Sequence, residues 1–580
     1  MSVRRAGGVV AMAVATLLCV SCGDVYRPVV IPTGTTPPNP ANFHAVFGVS
    51  NNSAGTPGAA LQIDVAGDSN IGSASMGINP THAAILPSNS RVFVTSSGSM
   101  FSGESDVVTS FTPAIDSSIV TGLGNPVVFS MPFGSLPVFV NTAETTAAYV
   151  ANFGTNSVSA LSILTNTVRL TSPVGSSPVA LAETPNAQNL YVLNQGDNTV
   201  MDLSPIDLSM IATIPVGSTP VWAAVRPDSQ RVYVLTQGES KLYTIRTDTN
   251  VADGGLPVGG PGANYVTYDK SRNRLYVTNP GAGAVFIFDA TSDPPTPLGS
   301  ATGLAVPAPV TCAPPVTCSA ALPVSVAPLP DGSRFYVASY QTISACPDPN
   351  VGTPAACIIP MLTIFDALSL TIKPAPLTSL PAPSTSLSLL STAQFPASQY
   401  AVPTVSSCAS PVLPATYAPG DTRFRMFATA SADSSHVYAS ICDAGTIADI
   451  VTTTTSIATG NNTPDSLVTD ITAPIATCVG TNCGTVANIT GFSIASNAIT
   501  FQAANNFVPG QLVSISGLTS TTGALLDGQR LEVLATGLSA TQFETMTPPG
   551  GPSSATATSD AGTAVPIAAP QNPIFLLTGQ

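Results

Sequence analysis

The dipeptide Tyr149-Val150 recurs as Tyr191-Val192, Tyr233-Val234 and Tyr276-Val277, at steps of 42, 42 and 43 residues. Pro173-Val174-Gly175 returns as Pro215-Val216-Gly217 and Pro257-Val258-Gly259, again 42 apart. So constant a step restricts the fold more than any composition could. One such unit is too short to bury a core alone and must stack on copies of itself. Within each unit, short β-type runs alternate with turn residues, the pattern of a four-stranded blade in a β-propeller. Inner strands are expected at 179–181, 221–225 and 265–268, each followed by an Asn- or Asp-containing turn. The turn after each Tyr-Val strand holds Gly154, Gly196, Gly238 or Gly281, and that spacing predicts positive φ at these glycines.

Looser copies extend the array in both directions. Arg91-Val92-Phe93-Val94, Arg334-Phe335-Tyr336-Val337 and His436-Val437-Tyr438 occupy the Tyr-Val position, and the first unit starts near Phe43. The chain therefore reads as all-β: a propeller of eight four-stranded blades, with seven as the alternative, over residues 43–474. Insertions fall at about 301–322, 341–360 and 374–421. The first unit lacks an inner strand, and Thr463 to Val468 resembles the missing piece; Pro573 to Thr578 is the other candidate. A late strand completing the first blade would close the ring and remove its free edges. Residues 485–547 hold five further short strands and are expected to form a small β-barrel or sandwich. Residues 548–580 read as a flexible tail with one possible final strand.

Charged residues make up only 8% of the chain and the formal charge is −14. No basic patch can neutralise phosphates, so nucleic acid is excluded as a partner. Arg4 and Arg5 precede an apolar run from Ala6 to Val20, which is short for a spanning helix and has the flanks of a signal peptide. Leu17 to Gly23 resembles a bacterial lipoprotein cleavage site, with residues 1–22 as leader-plus-acceptor and Cys22 as the lipidated thiol. Residues 23–42, rich in Pro and Thr, would be a tether. The expected location is outside the cytoplasm, on a membrane, facing periplasm or cell surface. Eight cysteines remain: Cys312, Cys318, Cys346, Cys357, Cys408, Cys442, Cys478 and Cys483. An even count in an exported chain favours disulfides. Sequence neighbours suggest the pairs in that order, although eight cysteines allow 105 connectivities. These eight include no Cys-x-x-Cys and adjoin no His, so neither a metal nor another cofactor is expected.

Tyr149 to Gly154, Tyr276 to Asn279 and Ile214 to Gly217 resemble the YVTN-type β-propeller repeats of bacterial surface and exported proteins. The resemblance covers about residues 43–474 and implies the fold rather than an activity. Related propellers include sugar-lactone hydrolases and haem d1 domains, whose functional residues find no close match here. His44, His82 and His436 read as structural, and no Gly-x-Ser-x-Gly elbow or Ser-x-x-Lys pair marks a nucleophile. Asp64, Asp202, Asp289 and Asp366 read as turn formers, and Trp222 as a core aromatic between blades. No catalytic residue is assigned, which tips the balance toward a non-enzyme: a binding or scaffold protein of the cell envelope. Its loops at Asn152, Asn156, Asn194, Asn198, Gln237 and Asn279 would meet a protein or a glycan. The alternative is a lactonase-like hydrolase with its site in the central channel.

Overall fold

A computed structural model describes residues 46–579 except 52–56, 66–68, 98–105, 114–123, 143–146, 310, 313, 345–355, 374–386, 389–401, 404–407, 409–424, 453–464, 473–485, 496–497, 508–511, 528–529, 535, 548–553 and 567–571. The leader, Cys22, the tether and His44 lie outside the described residues, as do Cys346, Cys478 and Cys483.

Eight antiparallel sheets of four or five strands follow one another along the chain. The blade around Tyr191 is representative: Pro178–Glu183, Leu190–Asn194, Thr199–Leu203 and Met210–Pro215 pair in that order from the inside outward. The inner strands are Asn572–Thr578 for blade 1, then Pro80–Ile85, Pro137–Asn141, Pro178–Glu183, Pro220–Val225, Tyr265–Asp269, Leu322–Pro328 and Met426–Ala430 for blades 2 to 8. Each inner strand touches the next, and that of blade 8 touches that of blade 1, so the sheets form a closed ring. The fold is an eight-bladed β-propeller.

The repeated Tyr-Val has a structural cause. Tyr149, Tyr191, Tyr233, Tyr276, Tyr336 and Tyr438 are fully buried between blades. Three of their hydroxyls reach the turn between strands three and four of the next blade. Tyr149 donates to the Pro205 carbonyl (2.8 Å), Tyr191 to Asn250 Oδ1 (2.9 Å) and Tyr336 to Asp465. The residue two places earlier reinforces this in four blades. Arg91 reaches Ile163 and Asn166, Arg231 reaches Asp293 (Nε–Oδ2 2.8 Å), Arg274 reaches Ala367 and Arg334 reaches Asp465. One apolar ring with a polar tip thus fills the gap between blades and also fastens them.

The glycine turns depart from expectation. Positive φ is found two residues later, at Asn156, Asn198, Ser240 and Gly283. Gly154, Gly196, Gly238 and Gly281 are needed instead because the incoming chain passes close by. An added Cβ would strike the carbonyl of Gly134, the side chain of Ser176, that of Ser218 and the carbonyl of Pro261, respectively.

Ring closure is also placed differently. Ser466–Thr472, which includes part of the expected closing segment, is the outer strand of blade 8. Blade 1 receives its inner strand from Asn572–Thr578, paired antiparallel with Val46–Asn51. Ile574, Phe575, Leu576 and Leu577 are all buried there, and such an apolar run suits a strand covered on both faces. Thr463 to Val468 carries no comparable run. Between these strands lies a separate seven-stranded sheet with its own core around Phe492, Phe501 and Phe543. It includes the five expected strands together with Ala555–Thr558 and Gly562–Pro566, so residues 548–580 supply three strands.

Candidate functional site

One residue from each inner strand lies at the ring axis: Phe575, His82, Phe139, Ala180, Trp222, Tyr265, Ser325 and Phe427 in blades 1 to 8. Four strands carry Pro-x-aromatic at or next to their first residue: Pro80-Thr81-His82, Pro137-Val138-Phe139, Pro220-Val221-Trp222 and Pro573-Ile574-Phe575. In each the register slips at the middle residue, a bulge that re-aims the third. Tyr265 and Phe427 complete the set from blades 6 and 8. The six rings form an unbroken circuit. His82 stacks on Phe139 (centroids 3.7 Å apart), Phe139 meets Trp222 (5.4 Å) and Trp222 meets Tyr265 (5.1 Å). Tyr265 meets Phe427 (5.5 Å), Phe427 meets Phe575 (4.4 Å) and Phe575 returns to His82 (4.6 Å). Blades 4 and 7 place Ala180 and Ser325 at this level, leaving room for the large neighbours to meet past them. His82 of blade 2 also touches Trp222 of blade 5 (5.7 Å), so the layer closes the axial passage.

The passage opens toward the ends of the inner strands. Two residues beyond the aromatic layer, on the same side of each strand by alternation, stand Ala84, Asn141, Ala224, Thr267 and Thr429, all part-exposed. Small side chains at these five places leave space beneath the rings, while Ala182, Ala327 and Leu577 of the other three strands are buried. The starts of the inner strands are buried at Pro80, Pro137, Pro178, Pro220 and Pro323. Burial pushes the Tyr265 phenol up to about 12, so this hydroxyl stays protonated and can donate. The layer thus places one imidazole and one phenol among apolar rings at the closed end of an uncharged passage.

A second polar cluster lies at the opposite end, between blades 7 and 8. Arg425 Nη1 donates to Asp443 Oδ1 (2.7 Å), both side chains are buried, and the guanidinium lies over Tyr340 (5.6 Å). Cys442, beside Asp443, is bonded to Cys408. The hairpin of blade 7 is extended at this end, pairing Arg334–Ile343 with Cys357–Asp366 over ten residue pairs. The Cys312–Cys318 loop packs on it, joined by a bridge between Cys318 and Ile343.

Two of the expected disulfides are therefore present, and Cys357 is also disulfide-bonded. The expected loop residues divide into two groups. Asn152, Asn194 and Asn279 are buried, and their amides bond within their own surroundings: Asn152 to Ser157 and Ser159, Asn194 to Thr199, and Asn279 to the Val258 and Gly260 carbonyls. Asn156 and Asn198 are exposed, yet each Oδ1 accepts an amide from the next blade, Ser177 (2.8 Å) and Thr219 (2.9 Å). Gln237 is half-buried and its amide N–H bonds the Thr219 carbonyl. Asp289 and Asp366 accept turn amides as expected, whereas Asp202 accepts Asn189 of its own blade and Asn250 across a blade boundary; the Asp64 side chain lies outside the described residues. His436 is buried at the start of the strand His436–Ile441, beside Ser435 and far along the strand order from His82. Sequence reasoning passed over the aromatic layer. Its signal, Pro-x-aromatic at inner-strand starts, becomes visible once those strands are aligned.

No known family model and no curated protein matches the chain. Among solved structures it is similar to a putative 6-phosphogluconolactonase from Bacteroides fragilis (14% identity, TM-score 0.42, covering 58% of this chain and 95% of that one). It is also similar to a periplasmic gluconolactonase from Pseudomonas aeruginosa (14%, 0.41, 57% and 94%) and to the dihydro-heme d1 dehydrogenase NirN (12%, 0.40, 58% and 74%). A likeness this distant assigns no activity. The lean toward a non-enzyme is withdrawn, since the solved structures this chain is similar to include proteins named as a gluconolactonase and a dehydrogenase.

Proposed function

We propose that the protein is an exported hydrolase of the lactonase-like propeller kind, with its site in the axial passage. The observation that carries this is His82, an imidazole placed among aromatic rings at the closed end. His82 would take a proton from water as that water attacks an ester carbonyl. The Tyr265 hydroxyl, held protonated, would donate to the oxyanion. Collapse of the tetrahedral adduct expels an alkoxide, which recovers the proton from the imidazolium; a lactone opens to its hydroxy acid. The uncharged lining at Ala84, Asn141, Ala224, Thr267 and Thr429 suits a neutral ester. Export rests on the leader-like sequence and on the Cys312–Cys318 and Cys408–Cys442 bonds, which persist in oxidising compartments. Anchoring through Cys22 is the finer part of the reading.

The test is turnover of a panel of neutral γ- and δ-lactones and simple aryl esters by the purified chain, followed at constant pH. His82→Gln should lower kcat by about 100-fold or more, with Asn156→Ala near wild type. A panel left unhydrolysed, or an undiminished His82→Gln variant, removes the proposal.

A further inference from the structure

The turns between strands three and four and those between strands one and two all lie at one end of the ring, where the axial passage opens. In blades 3, 4, 5 and 7 the outer turn is the same α-turn. It is closed by amide-to-carbonyl bonds Asn166 to Ser162, Leu208 to Ser204, Asn250 to Arg246 and Leu370 to Asp366, with the donor at positive φ. The tip, two residues before the donor, is Leu164, Ile206, Asp248 and Leu368. Leu164 is 91% exposed, Ile206 78% and Leu368 73%. A solvated turn gains nothing from an apolar tip, and single exposed apolar residues are common. Here three occupy one geometric position, all face the same way, and blades 3 and 7 stand across the ring from each other. The three tips therefore define a plane across the mouth of the passage.

Two further observations identify what meets that plane. Val46–Asn51 starts at this end, since Val46 pairs with Thr578 at the finish of the inner strand. In the sequence, 23 residues separate this strand from Cys22. Ion pairs offset part of the charge on this face, while Asp207, beside the Ile206 tip, is exposed and bonds Ser209 rather than a basic side chain. Arg226 pairs with Asp228, Arg231 with Asp293, Arg246 with Asp248, and Arg334 and Lys373 with Asp465. An apolar-tipped face with paired charges, at the end of the ring where Val46–Asn51 starts, fits an electrically neutral lipid surface.

We propose that this face rests on a phospholipid bilayer, with Leu164, Ile206 and Leu368 entering its interface and the axial passage opening onto it. The occupant is chosen on the reading that Cys22 carries the anchor. The three tips need only weak intrinsic affinity, because the tether raises their effective concentration at the membrane. A substrate of the axial site would then arrive from the bilayer side.

The test uses the mature chain from residue 23, which retains every described residue and has no acyl group. Flotation with phosphatidylcholine vesicles at millimolar lipid should carry part of it upward, with little change on adding 1 M salt. A Leu164→Glu, Ile206→Glu, Leu368→Glu variant should partition at least tenfold less while keeping its circular dichroism and thermal midpoint. Absence of flotation, release by salt, or an unaffected triple variant overturns the proposal; so does a dimer in sedimentation that the triple variant breaks, which would assign the tips to a second copy. Hydrolysis of a soluble ester is measured separately, and the mass of the cell-derived N-terminus reports on Cys22. Loss of either reading is therefore distinguishable from loss of this one.

Discussion

Gly154 shows how one atom can be excluded by a neighbouring strand rather than by its own backbone. Its amide bonds the Ser135 carbonyl, and the chain entering blade 3 passes so close that a side chain would press on the Gly134 carbonyl. Backbone cannot move aside as a flexible side chain can, so Gly154→Ala should cost about 1–3 kcal/mol, the usual range for forced overpacking. Gly254→Ala is the control, since an added methyl there meets nothing within 4 Å. Thermal midpoints of the two variants decide the matter: only the first should fall, and equal midpoints would remove the close-approach account. The same logic explains why a constant glycine spacing was read as a need for positive φ. Sequence displays the residue that must lack a side chain but not the distant atom that forbids one.

Between neighbouring elements of the appended sheet, a single carboxylate does the joining. Asp560 lies just before Gly562–Pro566, and its oxygens accept the Thr519 amide (3.0 Å) and the Ser520 amide (2.9 Å) of the turn after Leu512–Ser516. Bonding from Ser520, with the Thr519 amide next, holds this carboxyl down to about 2, below the range of about 3.9 for a free Asp. For an acid whose folded value is depressed, the stabilisation is present above the unfolded value and is lost as pH falls toward the folded one. Calorimetry from pH 6 to pH 2 should therefore show the transition of this sheet weakening between about pH 4 and pH 2, a slope that Asp560→Asn removes. An identical pH dependence in both proteins would contradict the assignment. At this scale the Tyr-Val strands were legible because burial on both faces demands a fixed apolar pattern. The outer strand of blade 7 was not. It is assembled from Leu387–Ser388 and Val402–Pro403, each pairing only two residues along Cys357–Asp366. The aromatic layer was only half legible, since Trp222 was seen on an inner strand but its partners come from five other blades.

Closure decides whether eight blades behave as one body. Blade 1 combines residues 46–78 with Asn572–Thr578, and the seven-stranded sheet is spliced between the outer strand of blade 8 and that closing strand. Ile574, Phe575, Leu576 and Leu577 are at most 9% exposed. At roughly 1.5–3 kcal/mol per buried side chain, this strand contributes on the order of 10 kcal/mol, an upper value because unfolded chains already bury some surface. That rivals the whole stability of an ordinary domain. Removal of residues 572–580 should open the ring, turn Val46–Asn51 into a bare sheet edge prone to self-pairing, and take Phe575 from beside His82. A sharper variant separates the strand from the sheet spliced before it. Residues 473–571 are replaced by five Gly and Ser residues, about as many as join blades 3 and 4 or blades 4 and 5. This chain keeps Asn572–Thr578 and should retain the thermal midpoint of the propeller and a compact radius in small-angle scattering, while the truncated chain loses both. Were the two to unfold alike, the spliced sheet rather than the closing strand would hold the ring together.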